Sequence, residues 1–91
     1  MDETRKLTLK KPVRFGEDTI SALEFREPEG ADWRGLVMRT DGVIDMDTMM
    51  TLASRLSGQP PSVIDRLKGR DFSDTLAIVG GFIGGGRETG K

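Results

Sequence analysis

The chain has no cysteine, no histidine and no tyrosine. Without thiols or imidazoles, disulfides, thiol nucleophiles, Cys/His zinc clusters, Ser-His triads and histidine acid/base work are excluded. Aromatics are scarce, four phenylalanines and the single Trp33, and the longest apolar stretch falls far short of the ~18 residues that cross a bilayer. The opening Met1-Asp2-Glu3 lacks the basic start and apolar stretch of a signal peptide. These absences predict a soluble, cytosolic protein that takes no cofactor and has little scope for enzymology.

What is present suits one modest core. The 91 residues are 35% hydrophobic with a mean hydropathy of −0.39, and a chain of that length buries roughly 60 to 65% of its unfolded surface. Fourteen basic and fifteen acidic side chains give a net charge of −1 and a pI near 5.4, but the signs are unevenly spread. Residues 1–14 carry +3, residues 15–47 carry −6 and residues 48–91 carry +2. That pattern suits either a solvated surface or attraction within or between copies.

Apolar residues first alternate and then recur at helical spacing. Leu7, Leu9, Val13 and Phe15 occupy odd positions between polar neighbours, which predicts a strand from Thr4 with one buried face, on which Phe25 of the next strand also falls. Pro12 cannot donate a ladder hydrogen bond, so the strand lies at an edge or bulges there. Gly16-Glu17-Asp18 is turn material, and Thr19 to Phe25 resumes the β pattern, with a phase error between Ile20 and Leu23 that a bulge near Ser21-Ala22 would repair. Pro28 and Gly30 end this hairpin, Asp32 caps a short helical turn bearing Trp33 and Leu36, and Asp41-Gly42 makes a further turn.

Three helices follow. Asp45 is the N-cap of the first, which runs through Met46, Met49, Met50, Ala53 and Leu56 to a stop at Gly58. Pro61 opens a second, with Val63, Ile64 and Leu67, closed by Gly69. Asp71 and Asp74 approximate a capping box for a third, whose stripe is Phe72, Leu76, Val79 and Ile83, widened by Ile78 and Phe82. Gly80-Gly81 weaken that helix by up to about 1 kcal/mol each unless a neighbouring backbone packs closely. The expected architecture is α+β: an N-terminal antiparallel β-hairpin, a short helical turn and three α-helices in a single domain over residues 1–83, then a disordered, flexible glycine-rich tail over 84–91.

No motif supports catalysis. Gly85-x-x-x-x-Gly90-Lys91 matches the start of a phosphate-binding loop, but the chain stops before the Ser or Thr that would hold magnesium, and a helix rather than a strand precedes it. Asp41, Asp45 and Asp47 lack the register of a calcium loop, and a cap with a favourable first-turn acid accounts for Asp45 and Asp47. Arg5, Lys6, Lys10, Lys11 and Arg14 could meet phosphates. The acidic pI and the lack of exposed stacking aromatics instead make them guards on an edge strand, so nucleic acid is an unexpected partner. Met46, Met49 and Met50 form a methionine-rich helix face that serves as core filler or as an adaptable surface, and Trp33 either covers the hairpin or anchors an interface. With so little interior available, Trp33, Met46, Met49, Met50 and Phe82 are the candidate partner contacts.

The order of residues adds more. The runs Leu9-Lys10-Lys11-Pro12-Val13-Arg14-Phe15-Gly16-Glu17 and Leu23-Glu24-Phe25-Arg26-Glu27-Pro28-x-Gly30-x-Asp32-x-x-Gly35-Leu36 resemble the phage tail assembly chaperones of Mu-like and related contractile-tailed phages. The likeness continues through Asp45-x-Asp47, Leu52 to Pro60, Val63-Ile64-Asp65-x-Leu67 and Asp71 to Gly81-Phe82, covering about residues 7 to 83. Trp33 stands where a smaller aliphatic residue is expected, and the glycine-rich tail is outside the shared pattern.

This resemblance implies a non-catalytic assembly factor, with no catalytic or metal residues. Such a factor is made in the cytoplasm of an infected or lysogenic bacterium, where it binds the tape measure protein. It keeps that long chain soluble until tail tube protein polymerises around it, and it is absent from the mature virion. The family often makes a longer product by ribosomal frameshifting, and codons for residues 89–91 could supply a slippery stretch. Two readings from other classes stand beside it: a structural tail or connector subunit retained in the virion, and a small nucleic-acid-binding regulator.

Overall fold

The computed structural model describes residues 4–36 and 44–83. Strands β1 (Thr4–Phe15) and β2 (Asp18–Arg26) form an antiparallel hairpin, followed by a 3-10 turn (Gly30–Trp33) and helices α1 (Met46–Ser57), α2 (Pro61–Asp65) and α3 (Gly69–Ile83). The expected α+β order is thereby observed. The turn at Asp41-Gly42 and the glycine-rich stretch 84–91, including the phosphate-loop match, lie outside the described residues.

The hairpin closes through two residues, Gly16 and Glu17, because Phe15 pairs directly with Asp18. Gly16 has φ +64°, while no other residue type has a positive φ among the described residues, which matches a turn with glycine at its first central position. Pairing runs Thr8↔Ala22 and then Val13↔Ile20, so the four residues from Leu9 to Pro12 face Ser21 alone. The phase error in β2 therefore has its cause in the opposite strand. A long bulge at Pro12 returns Leu9, Val13, Leu23 and Phe25 to the buried face.

A bulge frees backbone N–H groups from the ladder, and these need partners when half-buried. The amides of Lys10 and Lys11 donate to Asp71 Oδ1 and Oδ2, each at 2.9 Å. Asp71 is 1% exposed inside the first turn of α3. It is thus not the cap expected from sequence but the link between α3 and β1, and Gly69, with φ +46°, begins α3 instead of closing α2. Turning Asp71 inward also rotates the helix. Its buried line is Asp71, Thr75 and Val79, flanked by Phe72, Ile78, Phe82 and Ile83, while Leu76 is only half-buried and lies outside the apolar cluster.

Helix α1 follows its sequence signals closely. Asp45 accepts from Thr48 N at 2.9 Å, and Gly58 ends the helix in the left-handed region at φ +73°. Leu52, Ala53 and Leu56 face inward, α1 packs on β2 and α3 on β1, and Val63, Ile64 and Leu67 fill the space beneath the bulge side of the sheet. Phe25, Leu52 and Val63 are fully buried at the centre of this single cluster. A lone hairpin is marginal in water, and here one face of it is covered by helices.

Candidate functional site

Two carboxylates pin the hairpin to the helices and so determine which surfaces remain free. Asp71 holds β1, as described above, and its carboxyl lies below the usual carboxylate range because Lys10 and Lys11 amides donate to its charged form. Asp32 holds β2. It accepts two bonds from the Arg26 guanidinium at 2.8 and 2.6 Å and a third from Glu29 N at 2.7 Å. Arg55 of α1 donates to the Asp32 and Arg34 carbonyls at 2.6 and 2.7 Å. Asp32 therefore lies inside the 3-10 turn, preceded by Glu29, and is not the N-terminal cap that its spacing suggests. The Arg26 bonds, with smaller help from Glu29 N and Arg55, pull the Asp32 carboxyl down to about 2.

The five candidate contact residues occupy three different elements. Met46, in the first turn of α1, is 51% exposed. Met49 and Met50 are half-buried on the rim of the apolar cluster, so the expected methionine face is divided. Met49 Cε lies 3.9 Å from the position a Cβ on Gly80 would take. Ordinary contact with a flexible side chain, and not a closely packed backbone, is thus what Gly80 meets, and Gly81 faces open space. Met50 borders a cleft of about 150 Å³ with Asp47, Thr51, Pro61, Ile64 and Asp65. Trp33 is half-buried against the cluster at the end of the 3-10 turn, and Phe82 is half-buried near the end of α3 beneath the Arg5 guanidinium, 5.8 Å from its ring centre.

Two features escape the sequence reading. Phe15, expected on the buried face with Phe25, is 37% exposed at the last position of β1 beside the turn, outside the cluster. Lys10, Lys11 and Arg14 are joined by Arg66, Lys68 and Arg70 from the corner between α2 and α3, more than fifty positions away. The bulge-to-Asp71 link and the Arg66 bond to the Arg14 carbonyl bring these together, and nothing in the local pattern announces either.

Among the described residues, no group of three or more His, Cys, Asp or Glu side chains could hold a metal ion, and no helix is long and apolar enough to cross a membrane. The described residues offer a two-stranded hairpin, a rim of half-buried apolar side chains and a basic groove. No curated protein and no solved structure matches the chain. A family model described as phage tail assembly chaperone proteins, E, or 41 or 14, matches residues 6–84, from near the start of β1 through the whole of α3. With nearly the whole described fold inside that match, the chain belongs to the phage tail assembly chaperone family.

Proposed function

We propose that this chain is a non-catalytic chaperone that binds the tape measure protein. In the cytoplasm of the host bacterium it keeps that protein soluble until tail tube protein assembles around it, and it is left out of the mature virion. The observation that carries the reading is the family match across residues 6–84. A longer frameshifted product sharing the same domain is part of the proposal.

The physical argument concerns apolar surface. A tape measure is a long, largely helical chain with apolar faces, and it needs an adaptable binder present in many copies. Flexible methionine side chains suit such a role. We assign the contact to Met46, with Met49, Met50, Trp33 and Phe82 as the half-buried rim around it. Met46 is the discriminating position, since at 51% exposure its replacement leaves the core untouched.

Co-expression with the cognate tape measure protein tests the function. The expected result is that the tape measure protein becomes soluble and co-purifies, and that Met46→Glu reduces recovery several-fold while thermal unfolding of the chaperone is unchanged. Equal solubility with and without the chain, or stoichiometric presence of the chain in mature particles, would overturn the reading.

A further inference from the structure

Beside the bulge of β1 lies a groove of about 500 Å³, lined by Lys11, Pro12, Val13, Arg14, Asp65, Arg66, Leu67 and Lys68. A smaller cleft adjoining it adds Lys10 and Arg70. Six cationic side chains thus converge around an apolar floor, against Asp65 and an Asp71 whose oxygens are taken by the Lys10 and Lys11 amides. None of the six comes within ion-pair distance of a carboxylate of the described residues. Arg66 donates to the Arg14 carbonyl at 2.8 Å, which ties the α2–α3 corner to the hairpin beside the groove.

The groove has a complement on the same chain. The hairpin tip next to it carries Glu17 and Asp18, both exposed, with the 37% exposed Phe15 behind them. The rest of the chain is acidic enough to bring the net charge to −1, so no long-range repulsion opposes the approach of two copies. A long polyanion such as nucleic acid would leave the groove and meet that acidic tip, and no aromatic lines the groove to stack a base. A short acidic segment with an apolar neighbour is the better fit.

We propose that the acidic hairpin tip of one copy seats in the basic groove of a second copy. Because tip and groove are adjacent on one hairpin, two copies laid side by side in opposite directions satisfy both contacts at once, a self-complementary two-fold arrangement. Glu17 and Asp18 meet Arg14 and Lys68, and Phe15 lies over the Pro12, Val13 and Leu67 floor. The interface is small and electrostatic, so the dimer forms at roughly tens to hundreds of micromolar and is sensitive to salt. This stands apart from the tape measure reading and can fail without it.

Sedimentation velocity over a concentration series tests it, at roughly 20 and 500 mM salt. Wild type is expected to dimerise at low salt and dissociate at high salt. Arg14→Glu with Lys68→Glu reverses the groove and spares the Arg66 bond, which uses only the Arg14 backbone. Glu17→Lys with Asp18→Lys reverses the tip. Each variant alone is expected to lose association at least about tenfold, whereas a one-to-one mixture restores it, since each reversed surface then meets its complement. Recovery in the mixture also shows that both variants are folded. A wild type that stays monomeric at low salt, a dimer insensitive to salt, or a mixture of folded variants that stays monomeric would each overturn the proposal.

Discussion

Replacing Asp32 with asparagine keeps the volume of the side chain and removes the charge on which the β2 attachment depends. The wild-type carboxylate takes Arg26 at 2.8 and 2.6 Å and Glu29 N at 2.7 Å, while the amide would turn a donor toward one of these donors. Hydrogen bonds to a charged group are worth about 1.5–3 kcal/mol in protected sites. Arg26 keeps 45% of its side chain in water, which reduces the expected loss to about 1–2 kcal/mol. For a chain of this size that is a fall in Tm of roughly 5–15 °C, read by far-UV circular dichroism at neutral pH. Acid supplies a second reading. The folded carboxyl of Asp32 is lowered from 3.8 to about 2, so its contribution is complete above the unfolded value and is lost as pH falls toward the folded one. The difference between wild type and D32N is therefore expected to shrink between about pH 4 and pH 2. Melting curves that coincide at neutral pH, or a gap that stays constant through that acid range, would refute the assigned role.

Other positions give independent tests. Asp71→Asn should speed hydrogen exchange at the Lys10 and Lys11 amides at neutral pH and flatten the acid limb of wild-type stability in the same direction as D32N; continued protection of both amides would mean that another group holds them. Thr75 is fully buried and its hydroxyl has no hydrogen-bond partner among the described residues, so Thr75→Val, nearly the same shape, should raise stability by about 1 kcal/mol in urea unfolding. Phe25→Ala should cost about 3–5 kcal/mol, enough to unfold most of the population in a domain this small, whereas Phe15→Ser should leave the unfolding free energy in urea within about 0.5 kcal/mol of wild type.

Local signals in the sequence were sufficient for α1, where Asp45, the apolar spacing and Gly58 concern residues that touch within one helix. They were also sufficient for Pro61 opening α2 and for the existence and order of both strands. They failed where an aspartate had two possible employers. Asp32 and Asp71 both precede apolar runs and both resemble caps, and the choice between capping a helix and holding a distant backbone depends on tertiary neighbours. The bulge showed the same division: Pro12 and the Ile20–Leu23 phase error marked the right place, but only pairing reveals that β1 carries the extra residues. Of the candidate contacts, Met46 is exposed in the first turn of α1, whereas Met49 and Met50, one turn further along the same helix face, reach the rim of the core; which residues of one face meet the core depends on tertiary packing that spacing does not encode.

Placing two buried aspartates at the hairpin has a consequence for binding. The hairpin could in principle be held by more apolar contact, but each added apolar side chain in so small a domain would either enlarge the core or remain exposed. Carboxylates that satisfy freed backbone amides and an arginine hold both strands without drawing on the apolar residues at the rim. Met46 and Phe15 can then stay in solvent, and Met49, Met50, Trp33 and Phe82 half in it, while Phe25, Leu52 and Val63 keep the interior closed. Any apolar surface that covers the rim therefore gains burial without competing with the fold for the same side chains, which is the condition under which a chain this small can bury further apolar area and remain folded.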